Sequence, residues 1–522
     1  MDPLNHLTRR QAVAGAGALA VASVVSPDAL ARGLTSARRA PSFRGGRFPD
    51  GIAAGDPTPN GITLWTRLDG VGGKGSVELE IARDSGFRRV VARTNIGTNA
   101  DLGHVAKARI GRLRPHEQYY YRFSTRTADS PVGRFRTALP PDSKQPVKFA
   151  YFSCQEYTFG WFNAHALMAR EDVDFVVNLG DFIYEIGFFP PIGVRSGNYT
   201  TGLDGPQNLE KYRERYRTVR KDPNLRRMAS RHAMISLWDD HEVQNNYAGG
   251  DPTGGDINPP YSVARRNAAY RAWIENMPTY FERGGRYRLY HKASFGRLVD
   301  LFVLDERQYR AGQPCDDSGK VCADWDRERA FLGTQQAAFA RGGLARSRAA
   351  WKLIANGVMI MPVKVSDTEY STFDTWIGYP REREALLRSI ESNRVKDVVF
   401  LTGDYHAFIA GNVQTAAGKT VATEFVGGSI TSASDPEVSA ILKKPGYGTP
   451  DHTTQPASEL ATQRAVNPWF RELDYLHHGY VVCHATAKEL KVTLKKLETI
   501  RRQTTRLHST RTFRVRRGRS GI

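Results

Sequence analysis

Four apolar runs in this chain each end in a side chain able to hold a metal ion. Met234-Ile235-Ser236-Leu237-Trp238 stops at Asp239-Asp240-His241-Glu242, with Asn245-Asn246 close behind. Lys148 to Ser153 runs into Cys154-Gln155, and Val173 to Gly180 runs into Asp181-Phe182-Ile183-Tyr184-Glu185. Asp397 to Gly403 runs into Asp404-Tyr405-His406. Short apolar runs of this kind read as buried strands. In open α/β sheets ligands bind beyond the carboxyl ends of the strands, so four such exits predict one meeting place for residues far apart in sequence. Each exit alone has an ordinary reading. Asp-Asp suits a solvated turn, Cys154 a small buried hydrophobe, Tyr184 a core aromatic and His406 a hydrogen-bonded core imidazole. Together they favour a metal site, because adjacent carboxylates repel unless a cation neutralises them.

The residue types divide the work. Asp181, at a tight exit after Gly180, can bridge two ions. A phenolate from Tyr184 and a thiolate from Cys154 suit trivalent iron (Fe3+), whose high charge anionic ligands offset, and His406 adds a nitrogen donor. Asp240 and Asp404 are hard oxygen donors that suit calcium (Ca2+). Asp239, Asn245 and Asn246 fit ligand, turn and capping roles equally well. A two-metal cluster binds a phosphate between its ions, generates a hydroxide nucleophile and offsets developing charge. His241, beside Asp240, is then placed to donate a proton or hydrogen bond to the phosphate or the leaving oxygen.

With 522 residues the chain is too long for one ordinary core, which predicts two domains with tails. Thr8-Arg9-Arg10-Gln11 precedes an uncharged stretch from Ala12 to Val25, and Ala29-Leu30-Ala31 offers a cleavage site. This is the pattern of a signal peptide over 1–31. The paired arginines resemble a twin-arginine signal, which hands folded proteins to the twin-arginine export machinery; an ordinary secretory signal is the alternative. A secreted or cell-envelope location follows, with no transmembrane segment, since no other stretch is long and apolar enough. The formal charge of +20 suits anionic partners such as phosphate esters or a charged surface, and equally suits plain solubility. It does not imply a stable nucleic-acid complex. Cys315 and Cys322 are close enough in sequence to bridge after export, while Cys483 sits in an apolar run and reads as buried.

Residues 44–140 read as a small all-β, fibronectin-like sandwich. Val77-Glu78-Leu79-Glu80-Ile81 alternates with period two, and Leu113 to Phe123 carries a turn-to-strand pattern whose tyrosine braces a sandwich corner. Ala138 to Lys144 is the linker. From 146 to 498, strands alternate with helical stretches at Gln207–Arg217, Ser262–Asn276, Thr334–Arg346 and Arg381–Asn393, which predicts a layered α/β (α+β) domain. Residues 499–522 hold eight arginines and no acid after Arg501 and are expected to be a disordered basic tail.

The exit motifs, together with Gly55-Asp56-Pro57-Thr58, Leu304-Asp305-Glu306-Arg307-Gln308-Tyr309-Arg310 and Gly427-Gly428-Ser429-Ile430-Thr431, resemble the PhoD-like alkaline phosphatase/phosphodiesterase family. The resemblance runs from about Phe43 to about Leu497. It implies a four-layer metallophosphoesterase sandwich behind the small β-sandwich. It also implies iron on Cys154, Asp181, Tyr184 and His406, with Asp181 shared, and calcium on Asp240 and Asp404 with Asp239 beside them. His241 takes the place of the phosphate-contacting histidine. The chain departs from the family pattern at Asn356-Gly357, where relatives carry longer amides, and at Ile377, where an Asp is usual; both bear on the outer substrate shell. The insert Phe188 to Arg195 is expected at the pocket rim, with Arg195 and Asn245 as phosphate contacts. The implied activity is hydrolysis of phosphate monoesters or diesters. Alternatives are phospholipase D-like action on phospholipid headgroups, or a non-catalytic envelope protein that binds anionic polymers.

Overall fold

The computed structural model describes residues 42–187, 192–196, 205–249, 261–281 and 287–522. The expected signal peptide over 1–31 and Phe188–Pro191 of the expected rim lie outside these residues. Two large mixed sheets face each other across the main hydrophobic core. In the nine-stranded sheet, the strands Val147–Phe152, Phe175–Leu179 and Ala233–Leu237 lie parallel at the centre. In the seven-stranded sheet, Val299–Val303, Trp351–Asn356, Val398–Thr402 and Thr420–Gly427 are parallel neighbours. Most of these strands are buried along their full length, as the continuous apolar runs require of strands covered on both faces. Phe175 stacks between Phe149 and Phe295, at ring separations of 5.1 and 4.0 Å, and joins the two sheets.

Helices cover the outer faces. Val263–Asn276 begins at Ser262, whose side chain accepts from the Arg265 amide, and Pro223–Arg231 begins at Asp222, which accepts from Asn224 and Leu225. Short polar residues in extended conformation satisfy the free amides of a first helical turn. Gly333–Arg346 and Pro380–Ser392 pack beside one another on the outside of the seven-stranded sheet.

The N-terminal segment is all-β, as expected, and one of its two layers is continuous with the large sheet. A four-stranded sheet (Val90–Thr98, Gly75–Ala82, Gln118–Ser124, Gly133–Arg136) forms one of its layers. The opposing layer, Ile52–Thr58, Gly61–Arg67 and Val105–Ile110, is the end of the nine-stranded sheet itself. Ile52–Thr58 pairs parallel with Ala233–Leu237, Ala54 opposite Ala233 and Gly55 opposite Met234. Val77, Leu79, Ile81 and Tyr121 then pack with Ile62, Leu64 and Ala106 in one core. As expected of the corner tyrosine, the Tyr119 hydroxyl accepts from the Arg114 amide at 2.9 Å.

The C-terminal tail expectation is corrected. Leu507–Arg516 is a strand, paired antiparallel along Glu489–Leu497 at the edge of the nine-stranded sheet. Alternation is present but faint: Leu507, Phe513 and Val515 face inward, while the arginines between them stay in water. Cationic side chains are a common guard on an exposed edge. Cys315 and Cys322 are joined in a disulfide, and Cys154 and Cys483 are free and buried.

Candidate metal centre

All four strand exits open on the same edge of the facing sheets. Leaving an apolar strand into a tight turn forces unusual backbone, and Cys154 (φ 58°), Asp181 (φ 53°), Asp404 (φ 62°) and His406 (φ 50°) are all left-handed. Non-glycine residues held there carry strain that the surrounding structure must over-determine, and such residues gather at functional sites. Gly180 has φ 99°, and a Cβ there would lie 2.5 Å from Asp239 Cβ, so only glycine lets the two exits approach.

The donor atoms form three overlapping groups, within each of which ligand atoms lie no more than 4.8 Å apart. Cys154, Asp181 and His406 form an inner group, Asp181, Asp240 and His241 a middle one, and Asp239, Asp240 and Asp404 an outer one. Asp181 and Asp240 each belong to two groups. Tyr184 joins the inner group: its hydroxyl donates to Asp181 Oδ2 at 2.8 Å and lies 3.1 Å from His406 Nε2. The other nitrogen of that ring, Nδ1, meets the Ala433 carbonyl at 2.7 Å. A hydrogen on Nδ1 leaves Nε2 free as a ligand.

Several residues without a role from sequence hold this arrangement. Glu242 accepts from three exit amides, those of Asp181 (3.0 Å), Phe182 (2.7 Å) and Asp239 (2.7 Å). Glu185 Oε2 takes His241 Nδ1 at 2.7 Å, and its other oxygen takes the Asn245 amide at 2.7 Å. The His241 ring stacks on Tyr184 with centroids 4.0 Å apart. Arg307 is fully buried in the outer group: Nε bonds Asp239, Nη2 lies 3.4 Å from Asp240 and 3.7 Å from Asp404, and Nη1 lies 2.7 Å from Asp374. Arg310 pairs with the other oxygen of Asp374. Arg307 directly follows the buried strand that ends at Val303 and the Leu304–Glu306 turn. The exit pattern that identified the ligands therefore points to this residue too.

Two guanidiniums among five carboxylates leave the cluster anionic. Burial, then repulsion from Asp240, pushes Asp181 well above the usual carboxylate range, and burial with Asp239 and Asp240 does the same to Asp404. Asp239 is pushed up to about 6 by burial despite Arg307, while Asp240 is pulled down because Arg307 and His241 outweigh its burial. Burial and neighbouring carboxylates also raise Cys154 and Tyr184 well above their ordinary values. Asp239 Oδ2 and Asp240 Oδ1 are buried with no hydrogen-bond partner. Buried carboxylate oxygens without a hydrogen bond are costly, and a cation at the outer group, to which both residues belong, would relieve that cost. The donor set therefore fits a highly charged transition-metal ion at the anionic-plus-imidazole inner group and an oxygen-ligated ion at the outer one.

The two expected substrate contacts differ in where they lie. Arg195 is buried beneath Tyr157 and Phe162, ion-paired to Asp222 at 2.6 Å and bonded to the Tyr157 carbonyl. It is therefore not a free phosphate contact: aromatic cover and a carboxylate stabilise it as a packing residue. Asn245 stays at the site, its backbone N–H donating to the Glu185 carboxylate that holds His241. Of the two departures, Asn356 is buried between Trp376 and Thr402, and Ile377 is buried with its carbonyl accepting from Trp325.

A family model described as PhoD-like phosphatase matches residues 149–494, and one described as the N-terminal domain of PhoD-like phosphatases matches residues 34–139. Alkaline phosphatase D of Bacillus subtilis (strain 168) is 35% identical over 449 residues, spanning 82% of this chain and 77% of that protein. A solved structure of PhoD superposes with a TM-score of 0.80 at 30% identity, covering 92% of each chain. A purple acid phosphatase from yellow lupin seeds superposes with a TM-score of 0.55 at 12% identity, over 91% of this chain and 74% of that one, a likeness of fold alone.

Proposed function

The chain belongs to the PhoD-like phosphatase family, and from that premise we propose an exported, metal-dependent phosphoesterase acting on phosphate monoesters, diesters or both. The observation that carries this reading is the convergence of three ligand groups on four strand exits, three of which hold residues in the left-handed conformation. Cys154, Asp181, Tyr184 and His406 would hold iron(III), Asp181 would be shared, and Asp240 and Asp404 with Asp239 would hold calcium. Bound there, the ions would supply the Lewis acidity that draws in a phosphate ester, activates water and offsets charge in the transition state.

The chain's own groups do the rest. Arg307 holds Asp239 and Asp240 in place and tempers their mutual repulsion. Glu185 fixes His241 through Nδ1, so the Nε2 edge is the one able to carry a proton to the leaving oxygen. The paired arginines at positions 9 and 10 support export through the twin-arginine route.

Hydrolysis of p-nitrophenyl phosphate and bis-p-nitrophenyl phosphate, each with calcium and again after chelation, tests the proposal. Turnover is expected to depend on metal, and the ratio of the two rates assigns monoester or diester preference. Asp181→Asn is expected to lower kcat at least ~100-fold, since it removes the shared ligand. Turnover retained by that variant would sink the site assignment. If metal-loaded protein leaves both small esters intact, phospholipid headgroups and anionic polymers become the substrates or ligands to try.

A further inference from the structure

The loop 428–434 runs from the strand Thr420–Gly427 to the short helix Asp435–Ile441 and touches three of the four inner residues. The amides of Thr431 and Ser432 both donate to the Cys154 carbonyl at 3.2 Å. The Ser432 side chain lies against the Tyr184 phenol, where it opposes the rise that burial imposes on that group. The Ala433 carbonyl faces His406 Nδ1 at 2.7 Å. A shift of this loop would therefore move a thiol, a phenol and the tautomer of an imidazole together.

What holds the loop is polar and buried. The Ser429 hydroxyl donates to the Ser432 carbonyl at 2.7 Å, closing the loop on itself, so the same oxygen is left to accept from His478 Nδ1 at 2.8 Å. Across the ring, His478 Nε2 lies 3.1 Å from both oxygens of Glu437. Glu437 also accepts the Ser434 amide at 2.8 Å, in the capping box that starts the helix. Ser429, His478 and Glu437 are all buried. Burial would raise the Glu437 carboxyl, yet His478 and Ser434 pull it below its ordinary value, so it sits there as an anion. The sequence placed Ser429 only within a resemblance motif and gave His478 and Glu437 no role.

We propose that Glu437, His478 and Ser429 form a positioning relay for the inner metal site, fixing the loop 428–434 and through it the Nε2-ligand form of His406 and the seats of Cys154 and Tyr184. The relay rests on the reading of those residues as iron ligands. Glu437 and His478 act through Ser429 and the loop backbone.

The test uses the full chain as isolated with its metals. Iron per chain is counted, and iron loss to a strong chelator is followed by the visible charge-transfer absorption expected of thiolate and phenolate ligands. Glu437→Gln keeps shape and removes the charge; Ser429→Ala is a milder cut at the other end. Both are expected to lose iron about 10-fold faster than the native chain, with displaced absorption, in the range seen when outer partners of metal ligands are removed. Asp300→Asn, which breaks a buried network with Lys292, Ser294 and Ser347 far from the loop, is expected to leave both readouts at native values. Unchanged absorption and release in both Glu437→Gln and Ser429→Ala would overturn the relay while leaving the metal site intact. Native chain that holds no iron at all would overturn the ligand reading and the relay with it.

Discussion

Arg307 faces four carboxylates from a position with no solvent exposure, and an ion held at the outer group would draw on the same oxygens as its charge. Removing one partner from a buried charge network leaves the others uncompensated, at a cost of about 3–5 kcal/mol. Arg307→Met is therefore expected to melt well below the native chain in chelator and to regain more of its Tm than the native chain does when calcium is added. Equal calcium responses would show that guanidinium and ion do not share ligands. His241 makes a different kind of contribution. His241→Ala is expected to lower kcat about 10²–10⁴-fold on an ester with a poor leaving group such as an alkyl phosphate. The loss should be much smaller on p-nitrophenyl phosphate, whose leaving group departs without a proton; equal losses would remove the acid role from His241. Asp181, Asp240 and His406 were readable because donor side chains directly follow apolar runs. Arg307 follows such a run too but is no ligand type, and its role exists only once the carboxylates converge. Arg195 misled for the opposite reason: a basic residue after a Phe-Pro insert reads as a rim, and only the fold reveals Asp222 behind it.

Between the helix Pro223–Arg231 and the strand Ala233–Leu237, His232 is the hinge point of an αβ connection, its Nε2 against the Met168 carbonyl at 3.1 Å. Burial, then the Arg134 charge, lowers it to about 4 from an ordinary 6.5. The unfolded chain takes up this proton first as pH falls, so the contribution to stability is complete above about 6.5 and is lost progressively down to about 4. The most this one group can withdraw is about 3 kcal/mol. His232→Gln is expected to flatten the denaturant midpoint between pH 6.5 and 4; an unchanged slope would assign that loss to other groups. The helices over 263–276, 333–346 and 380–392 could be read as helical stretches between the apolar strands, and Ser262 caps the first of them. The strand Leu507–Arg516 could not. An edge strand buries few side chains, so arginine density masked its period-two pattern.

At the scale of the whole molecule, the turn signals and alternation in the first hundred residues of the described chain correctly implied a sandwich, but no local pattern says which sheet a strand will join. Ile52–Thr58 found its partner in Ala233–Leu237, about 180 positions away, and that pairing is set by register and core packing rather than by propensity. One unbroken sheet thus runs from the C-terminal edge strand through the ligand-bearing strands into the N-terminal layer. Many two-lobed enzymes work like a jaw, shutting over their substrate about a few pivot residues. Backbone hydrogen bonds bar that movement here, since opening the lobes would mean tearing a sheet. The proposed phosphate site is then expected to act as a fixed socket with respect to the two lobes. Small-angle scattering is expected to give the same radius of gyration with and without a bound phosphate; a contraction on binding would contradict the socket. A site that lobe movement does not reshape leaves the entry and release of a substrate to motions on the scale of single loops.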